Sequence, residues 1–146
     1  MALPTTLTLE IVTPDRALIR EEVDEVVVPA SEGELGVLPG HTPLLSSLKI
    51  GELWYRRGQE KHYLAIAFGF VEVLPDRVTV LADVGERAQE IDVQRAERAK
   101  QRAEQLLART PAPHLTAVDL DVERARIALL KALVRLNVAT RARTRA

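Results

Sequence analysis

The 146-residue sequence predicts an all-β sandwich followed by an antiparallel two-helix hairpin. Two observations support this fold class. Up to Asp83, apolar and polar residues alternate between closely spaced turn residues, as is typical of short β-strands. Beyond Gly85 there is no further glycine, and the helix-favouring residues Ala, Arg, Glu and Gln dominate. We therefore expect a sandwich over residues 1–86 and a helical hairpin over residues 87–146.

The strand pattern is clearest at residues 7–11, 26–28 and 78–82. In the first and last stretches the alternating positions are Leu7, Leu9 and Ile11, and Val78, Val80 and Ala82, and the middle stretch is β-branched throughout. Turn-forming pairs separate the strands, namely Pro14-Asp15, Glu32-Gly33, Pro39-Gly40, Arg57-Gly58 and Pro75-Asp76. Their spacing predicts a sandwich or barrel rather than β-α-β units.

Two helices are predicted in the C-terminal part, over about residues 92–108 and 121–141. Asp92 is a suitable N-cap for the first helix, and Asp119 or Asp121 for the second. The segment 110–113, which contains two prolines, breaks the chain between them. Apolar residues at three- and four-residue steps form one stripe on each helix: Ala96, Ala99, Ala103 and Leu106 on the first, and Ala125, Ala128, Leu129, Ala132, Leu133 and Leu136 on the second.

Alanine on both stripes allows the helices to approach closely but buries little apolar area, at roughly 25 cal/mol per Å². A weakly held hairpin can detach at modest cost, as a switch requires. The alternative is a static helical cap on the sandwich.

Composition excludes several classes of function. The sequence has no cysteine, no glycine-rich phosphate loop and no apolar run of the roughly 18–20 residues that cross a bilayer. Residues 1–10 lack the features of a secretory signal, so we expect a cytoplasmic chain. The histidines, His41, His62 and His114, show no ligand or triad spacing. We therefore predict no metal site and no independent catalysis, and a sugar- or metal-binding sandwich lacks its usual His/Glu cluster.

Charge is distributed unevenly. Residues 1–88 carry 14 acidic and 8 basic side chains, whereas residues 89–146 carry 7 and 12. This asymmetry predicts different partners for the two halves, or else a solvated basic helix surface. The chain ends in a basic run at Arg141, Arg143 and Arg145, but residues 89–146 contain no Phe, Trp or Tyr to stack on bases. We therefore do not expect a nucleic-acid partner.

Three ordered segments carry a family resemblance: the glycine- and proline-rich residues 31–45, the run Phe-Gly-Phe-Val-Glu-Val at 68–73, and Val-Thr-Val-Leu-Ala-Asp at 78–83. The chain closely resembles the epsilon subunit of bacterial F-type ATP synthase over nearly its whole length. The resemblance implies a sandwich of ten strands, two antiparallel helices, and a non-catalytic rotor subunit of a proton-translocating complex. It places the chain at the cytoplasmic side of the bacterial cell membrane, as a peripheral component.

The resemblance also implies the partners. The sandwich would rest on the gamma subunit, and the loop carrying Glu34 and His41 would face the ring of c subunits. The hairpin would restrain ATP hydrolysis and, when extended, meet the alpha and beta subunits. A stand-alone nucleotide-sensing regulatory module is the alternative.

A second motif concerns nucleotide. Residues 91–96, Ile-Asp-Val-Gln-Arg-Ala, resemble the ATP-binding motif of some epsilon subunits, with Glu86 upstream. The resemblance implies ATP as a regulatory ligand, with no cofactor required. Its contacts would be Glu86, Ile91, Asp92, Arg95, Ala96, Arg102, Lys131 and Arg135. Lys131 stands where tight binders commonly have arginine, which replaces a bidentate fork by a point charge.

Spacing predicts one more surface. Arg124, Lys131 and Arg135 are separated by seven and four residues, so they share one face of the second helix. This positive strip is expected to meet phosphate or an acidic protein, and to inhibit hydrolysis when the hairpin is extended. The alternative is a solvated helix face.

Overall fold

The computed structural model describes residues 2–109 and 117–144, the side chains of 117–119 excepted. Eight strands form the N-terminal part: β1 Leu7–Val12, β2 Ala17–Val23, β3 Glu25–Ala30, β4 Gly33–Val37, β5 Leu44–Ser47, β6 Ile50–Arg57, β7 Glu60–Leu74 and β8 Arg77–Arg87. A 3₁₀ turn, Ala88–Glu90, leads into α1, Val93–Arg109, and α2 spans Ala117–Arg143. The predicted fold class, a β-sandwich followed by a helical hairpin, is confirmed, with eight strands where the resemblance implied ten.

The strands are hydrogen-bonded in the order β2-β1-β8-β7-β6-β3-β4, and β5 pairs with β7 outside this path. β1 and β8 are parallel, and the other pairs are antiparallel. The alternation predicted from sequence is present. Leu7, Leu9 and Ile11 of β1 are fully buried, and so are Val78 and Val80 of β8. These aliphatic side chains belong to one continuous core inside the sandwich, which is drawn entirely from residues 7–82.

A kink in β7 accounts for one of the two strands by which the count falls short of ten. Phe68 and Gly69 have φ angles of 61° and 114°, yet hydrogen bonding continues past them. Gly69 O accepts from Leu48 N at 2.8 Å, and Phe68 N donates to Lys49 O at 3.3 Å. β7 therefore pairs with β6 before the kink and with β5 after it, as one strand of 15 residues. A Cβ on Gly69 would lie 2.0 Å from Leu81 O, so the kink requires glycine.

The two helices form a layer outside the sandwich. α2 lies against β6, β7 and the 3₁₀ turn, and α1 packs on α2. Among the described residues, buried alanines repeat every seven positions on both helices: Ala96 and Ala103 on α1, and Ala125, Ala132 and Ala139 on α2. No helix within the described ranges has the length and apolarity needed to cross a membrane.

The start of α2 differs from the expected cap. Because α2 begins at Ala117, both Asp119 and Asp121 lie inside the helix, and neither is its N-cap. Asp121 instead approaches Arg124 one turn later, at 4.0 Å between Oδ1 and Nη1. The predicted break at residues 110–113, like His114 and Arg145, lies outside the described residues.

Candidate functional site

Two ion pairs join α2 to the sandwich. Arg135 Nη2 lies 2.6 Å from Glu86 Oε1 at the end of β8, and both side chains are about 30% exposed (31% and 27%). One and a half turns further on, Arg141 Nε lies 3.4 Å from Glu52 Oε2 of β6. Charged pairs that are partly shielded from water are screened less than fully exposed ones. These contacts therefore contribute to the position of α2 on the sheet.

Two aromatic rings of β7 extend this row of cationic contacts. The guanidinium carbon of Arg141 lies 5.6 Å from the centroid of Tyr63. Lys131 Nζ lies 5.8 Å from the centroid of Phe68, the residue at the kink. A cation within about 6 Å of a ring centroid is attracted by the ring quadrupole. Lys131, Arg135 and Arg141 of α2 are thus met by carboxylates and aromatic faces of the sandwich.

A small apolar cluster lies beside these polar contacts. Its buried members come from β7, the 3₁₀ turn and the residue after it, and α2: Ala65, Ala88, Ile91, Val138 and Ala139. Three of the five are alanines, and the residues packed on the cluster, Tyr63, Val93, Val134 and Ala142, are only partly buried, so it buries less apolar surface per residue than the aliphatic core. The hairpin is consequently held by contacts that are individually weak, in contrast to the aliphatic core of the sandwich.

The 3₁₀ turn between sandwich and hairpin is anchored by a bidentate ion pair. Arg16, in the turn after β1, donates to both carboxylate oxygens of Glu90, at 3.2 and 2.6 Å. Glu90 Oε2 also accepts from the backbone N–H of Arg87 at 3.4 Å. The hydrogen bond from Arg16 is the main cause that lowers the pKa of the Glu90 carboxyl below its usual range. The chain is thus fixed to the sandwich up to Glu90.

The predicted nucleotide motif forms the beginning of α1. Asp92 Oδ1 accepts from Arg95 N at 3.0 Å, and Asp92 O accepts from Ala96 N at 3.0 Å, so Asp92 caps the helix. The Ile91 and Ala96 side chains are buried, and Arg95 is exposed. The apolar members of the motif therefore pack, while Arg95 presents its charge to solvent.

The structure brings together only part of the predicted nucleotide set. Glu86, Lys131 and Arg135 line one narrow cleft between α2 and the sheet, with a free volume of about 10 Å³. Arg102 lies elsewhere, in a groove of about 500 Å³ between the two helices, which Arg124 also lines. Of the described residues, Ile91, Asp92, Arg95 and Ala96 line neither space.

The predicted positive strip is likewise divided between these two spaces. Arg135 is paired with Glu86, and Lys131 lies over an aromatic ring. Arg124 has an 80% exposed side chain and contributes to the groove between the helices. In this arrangement, Arg124 is the member of the strip that is most open to a partner.

The segment predicted to carry partner contacts is only partly a loop. Glu34 is exposed on strand β4, opposite Pro29, and not in a loop as expected. Residues 38–43 form the loop itself, in which His41 N donates to Leu38 O at 3.2 Å. The His41 ring nitrogen Nδ1 lies 2.7 Å from Thr42 O, so the ring is oriented by its own loop.

Sequence reasoning missed the sandwich residues that receive α2. Glu52 and Tyr63 gave no local signal, because they are 89 and 78 residues away from Arg141. Phe68 stands out in the sequence only within a family segment, and Arg141 only as part of a basic run.

Within residues 2–109 and 117–144, no group of three or more His, Asp or Glu side chains is placed to hold a metal ion.

Comparisons with known proteins cover nearly the whole chain. Residues 6–88 match the family described as ATP synthase, Delta/Epsilon chain, beta-sandwich domain, and residues 89–140 match its long alpha-helix domain. The ATP synthase epsilon chain of Syntrophobacter fumaroxidans is 53% identical over 131 residues, which is 90% of this chain and 93% of the relative. That of Solibacter usitatus is 50% identical over 137 residues, with coverages of 94% and 98%.

Solved structures agree with these relatives. A chain in the cryo-EM structure of Euglena gracilis mitochondrial ATP synthase, OSCP/F1/c-ring, is similar with a TM-score of 0.74 and 26% identity, covering 91% of this chain and 82% of that one. A chain of the Tetrahymena thermophila central stalk and c-ring has a TM-score of 0.58 at 13% identity, which supports the fold alone. The epsilon chain is not the catalytic subunit of the complex, so the prediction of a non-enzymatic chain is confirmed. The family resemblance is also confirmed: this chain belongs to the epsilon-chain family of ATP synthase subunits.

Proposed function

We propose that this chain is a central-stalk rotor subunit of a bacterial proton-translocating F-type ATP synthase. It couples the catalytic head to the membrane ring, and its hairpin restrains ATP hydrolysis. The sandwich docks on gamma, and the edge that carries Glu34 and His41 faces the c-ring. The complex holds the chain at the cytoplasmic side of the membrane. The relatives' identity as epsilon chains supports this assignment.

One observation supports the regulatory part of the proposal: the two modules are held together unequally. The sandwich has an aliphatic core of its own, drawn from residues 7–82. The hairpin is attached through an alanine-rich cluster and two partly exposed ion pairs. Such contacts can open without unfolding the sandwich, since weakly packed units open at lower free energy than the core.

The decisive experiment compares ATP hydrolysis by the parent complex with and without residues 89–146. We expect the truncated complex to assemble and to hydrolyse ATP faster, because the docking surface of the sandwich is retained. Equal rates at equal subunit composition would remove the regulatory role. Failure of the truncated chain to join the complex would show that the hairpin is needed for assembly.

We further propose that ATP is a regulatory ligand of the folded hairpin. The motif at the start of α1 exposes Arg95, and Lys131 and Arg135 line the cleft beside Glu86. A ligand that binds only the folded form stabilises it by about 2.7 kcal/mol at 100 times its dissociation constant. Millimolar MgATP should therefore raise the melting temperature of the isolated chain, and Arg95→Ala should abolish most of that rise.

A matched variant serves as the control for this measurement. Arg98→Ala removes an exposed cation from the same helix, one turn after Arg95 and outside the motif, and should leave the ATP-dependent rise unchanged. An absence of both heat and thermal shift with wild type would reduce residues 91–96 to a helix start. ATP binding by a chain that does not co-purify with a gamma subunit would instead favour the stand-alone nucleotide sensor.

A further inference from the structure

The narrow cleft between α2 and the sheet is lined by a carboxylate of the chain itself, that of Glu86. Glu86 and Arg135 come from different modules, 49 residues apart in sequence, and their charged atoms approach to 2.6 Å. The other lining side chains are Lys131 and the apolar residues Ile50, Ala65, Ile66, Ala67, Val84 and Val134. Glu86 is thus the one carboxylate among the described lining residues, and it faces two cations.

The enclosed part of the cleft has no room for a second anion while this pair is intact. Its free volume of about 10 Å³ corresponds to roughly one water molecule. A guanidinium binds carboxylates and phosphates with the same planar set of N–H donors. Glu86 accepts from Arg135 Nη2, so a phosphate that enters the cleft and uses this donor competes with Glu86 for it.

We propose that Glu86 is an internal competitor of phosphate at Arg135. The Glu86 carboxylate takes the place of a ligand phosphate in the anion-free chain, and a nucleotide has to displace it to reach the α2 cations. This inference rests on the proposed binding of ATP, but it gives Glu86 the opposite role to the ligand contact implied by the family resemblance. Glu86 then lowers the affinity of the site for the nucleotide phosphates instead of adding to it.

The proposal makes a signed prediction for Glu86→Gln. The amide keeps the shape of the side chain, and its oxygen still accepts a hydrogen bond from Arg135. The negative charge is lost, so Lys131 and Arg135 are left without a neutralising carboxylate in the cleft. Charged hydrogen bonds of this kind are worth a factor of about ten or more in affinity. We therefore expect ATP to bind about tenfold more tightly to E86Q than to wild type.

Glu52→Gln is the matched control. It removes the charge of the other carboxylate that holds α2, 3.4 Å from Arg141, and Glu52 does not line the cleft. Loosening of the hairpin alone would affect E52Q and E86Q alike, whereas release of a competing anion affects only E86Q. Folding of each variant is checked by circular dichroism. Glu86→Asp, which withdraws the carboxylate by one methylene, provides a second comparison and should bind with intermediate affinity.

The experiment is isothermal titration of the full chain with ATP and, separately, with inorganic pyrophosphate. Tighter binding of both anions by E86Q, with E52Q unchanged, supports internal competition. Equal or weaker binding by E86Q while wild type binds ATP overturns the competition and leaves the ATP proposal intact. Absence of binding by wild type and by both Glu86 variants rejects the competition together with nucleotide binding.

Discussion

Removal of the hairpin should leave the sandwich folded, and the cost can be worked out from its contacts. A chain of residues 1–88 keeps every member of the main core. It loses the Arg16–Glu90 ion pair, the cover of two alanine methyls, at Ala65 and Ala88, and part of the cover of Tyr63. At about 0.8 kcal/mol per methyl, and with 0–1 kcal/mol for each of the two ion pairs to α2, the loss is about 2–4 kcal/mol. For a domain of this size, that lowers the melting temperature by roughly 10–30 °C.

Thermal unfolding followed by circular dichroism measures this effect. We expect residues 1–88 to give a sheet spectrum and one cooperative transition. Leu9→Ala in the same fragment tests the sensitivity of the assay, because Leu9 is fully buried and its truncation costs about 2–5 kcal/mol. If residues 1–88 gave no sheet signal, or a broad transition without cooperativity, the sandwich would depend on the hairpin and the two-module reasoning would be refuted.

The remaining predictions concern charge, the kink and pH. In the assembled enzyme, the double variant Lys131→Glu with Arg135→Glu should raise the rate of ATP hydrolysis. Arg141→Glu, which only loosens the docked hairpin, should not raise it. Equal rates for wild type and both variants, at low and high salt, would mean that the positive strip of α2 is a solvated face. Gly69→Ala should cost about 3 kcal/mol or prevent folding, because its Cβ would lie 2.0 Å from Leu81 O, and an unchanged urea midpoint would contradict the strained kink. Since the pKa of Glu90 is lowered in the folded chain, its contribution is present above the unfolded value of about 4.3 and is lost as pH falls through the folded pKa. Arg16→Gln should therefore lower the melting temperature at pH 7 and reduce its fall on acidification, and parallel melting curves from pH 6 to 3 would disprove the coupling.

Local patterns were sufficient for the fold class. Alternation in β1 and β8 reports burial directly, because side chains on a strand point to opposite faces, and Leu7, Leu9, Val78 and Val80 are all fully buried. The apolar stripes of the C-terminal part predict two helices, because residues three and four apart lie on one face of a helix with 3.6 residues per turn. Both signals come from neighbours along the chain, so they can be read without knowing the tertiary structure.

Other features depend on contacts between distant residues. The left-handed backbone of Phe68 has no compositional signal, because aromatic residues rarely adopt a positive φ and only the surrounding sheet enforces it. The pairing of Arg135 with Glu86 joins residues on different modules, and helical spacing along α2 says nothing about what lies opposite. Spacing along α2 puts Lys131 and Arg135 on one helix face, but it cannot show that an aromatic ring and a carboxylate lie opposite them.

The seven-residue repeat of the buried alanines affects how the two helices can be aligned. Ala125 and Ala132 on α2 are interchangeable in size and shape, and so are Ala96 and Ala103 on α1, whereas Ala139 packs with Ala65 and Ala88 on the sandwich side. A slide of α2 by seven residues, about 10.5 Å at 1.5 Å per residue, would again place methyl groups opposite methyl groups. The alanine contact between the helices therefore does not by itself define one alignment along the helix axis. Arg135 and Arg141 of α2 pair with Glu86 and Glu52 of the sandwich and so select one of these alignments, and loss of both pairs would leave the hairpin without a unique alignment.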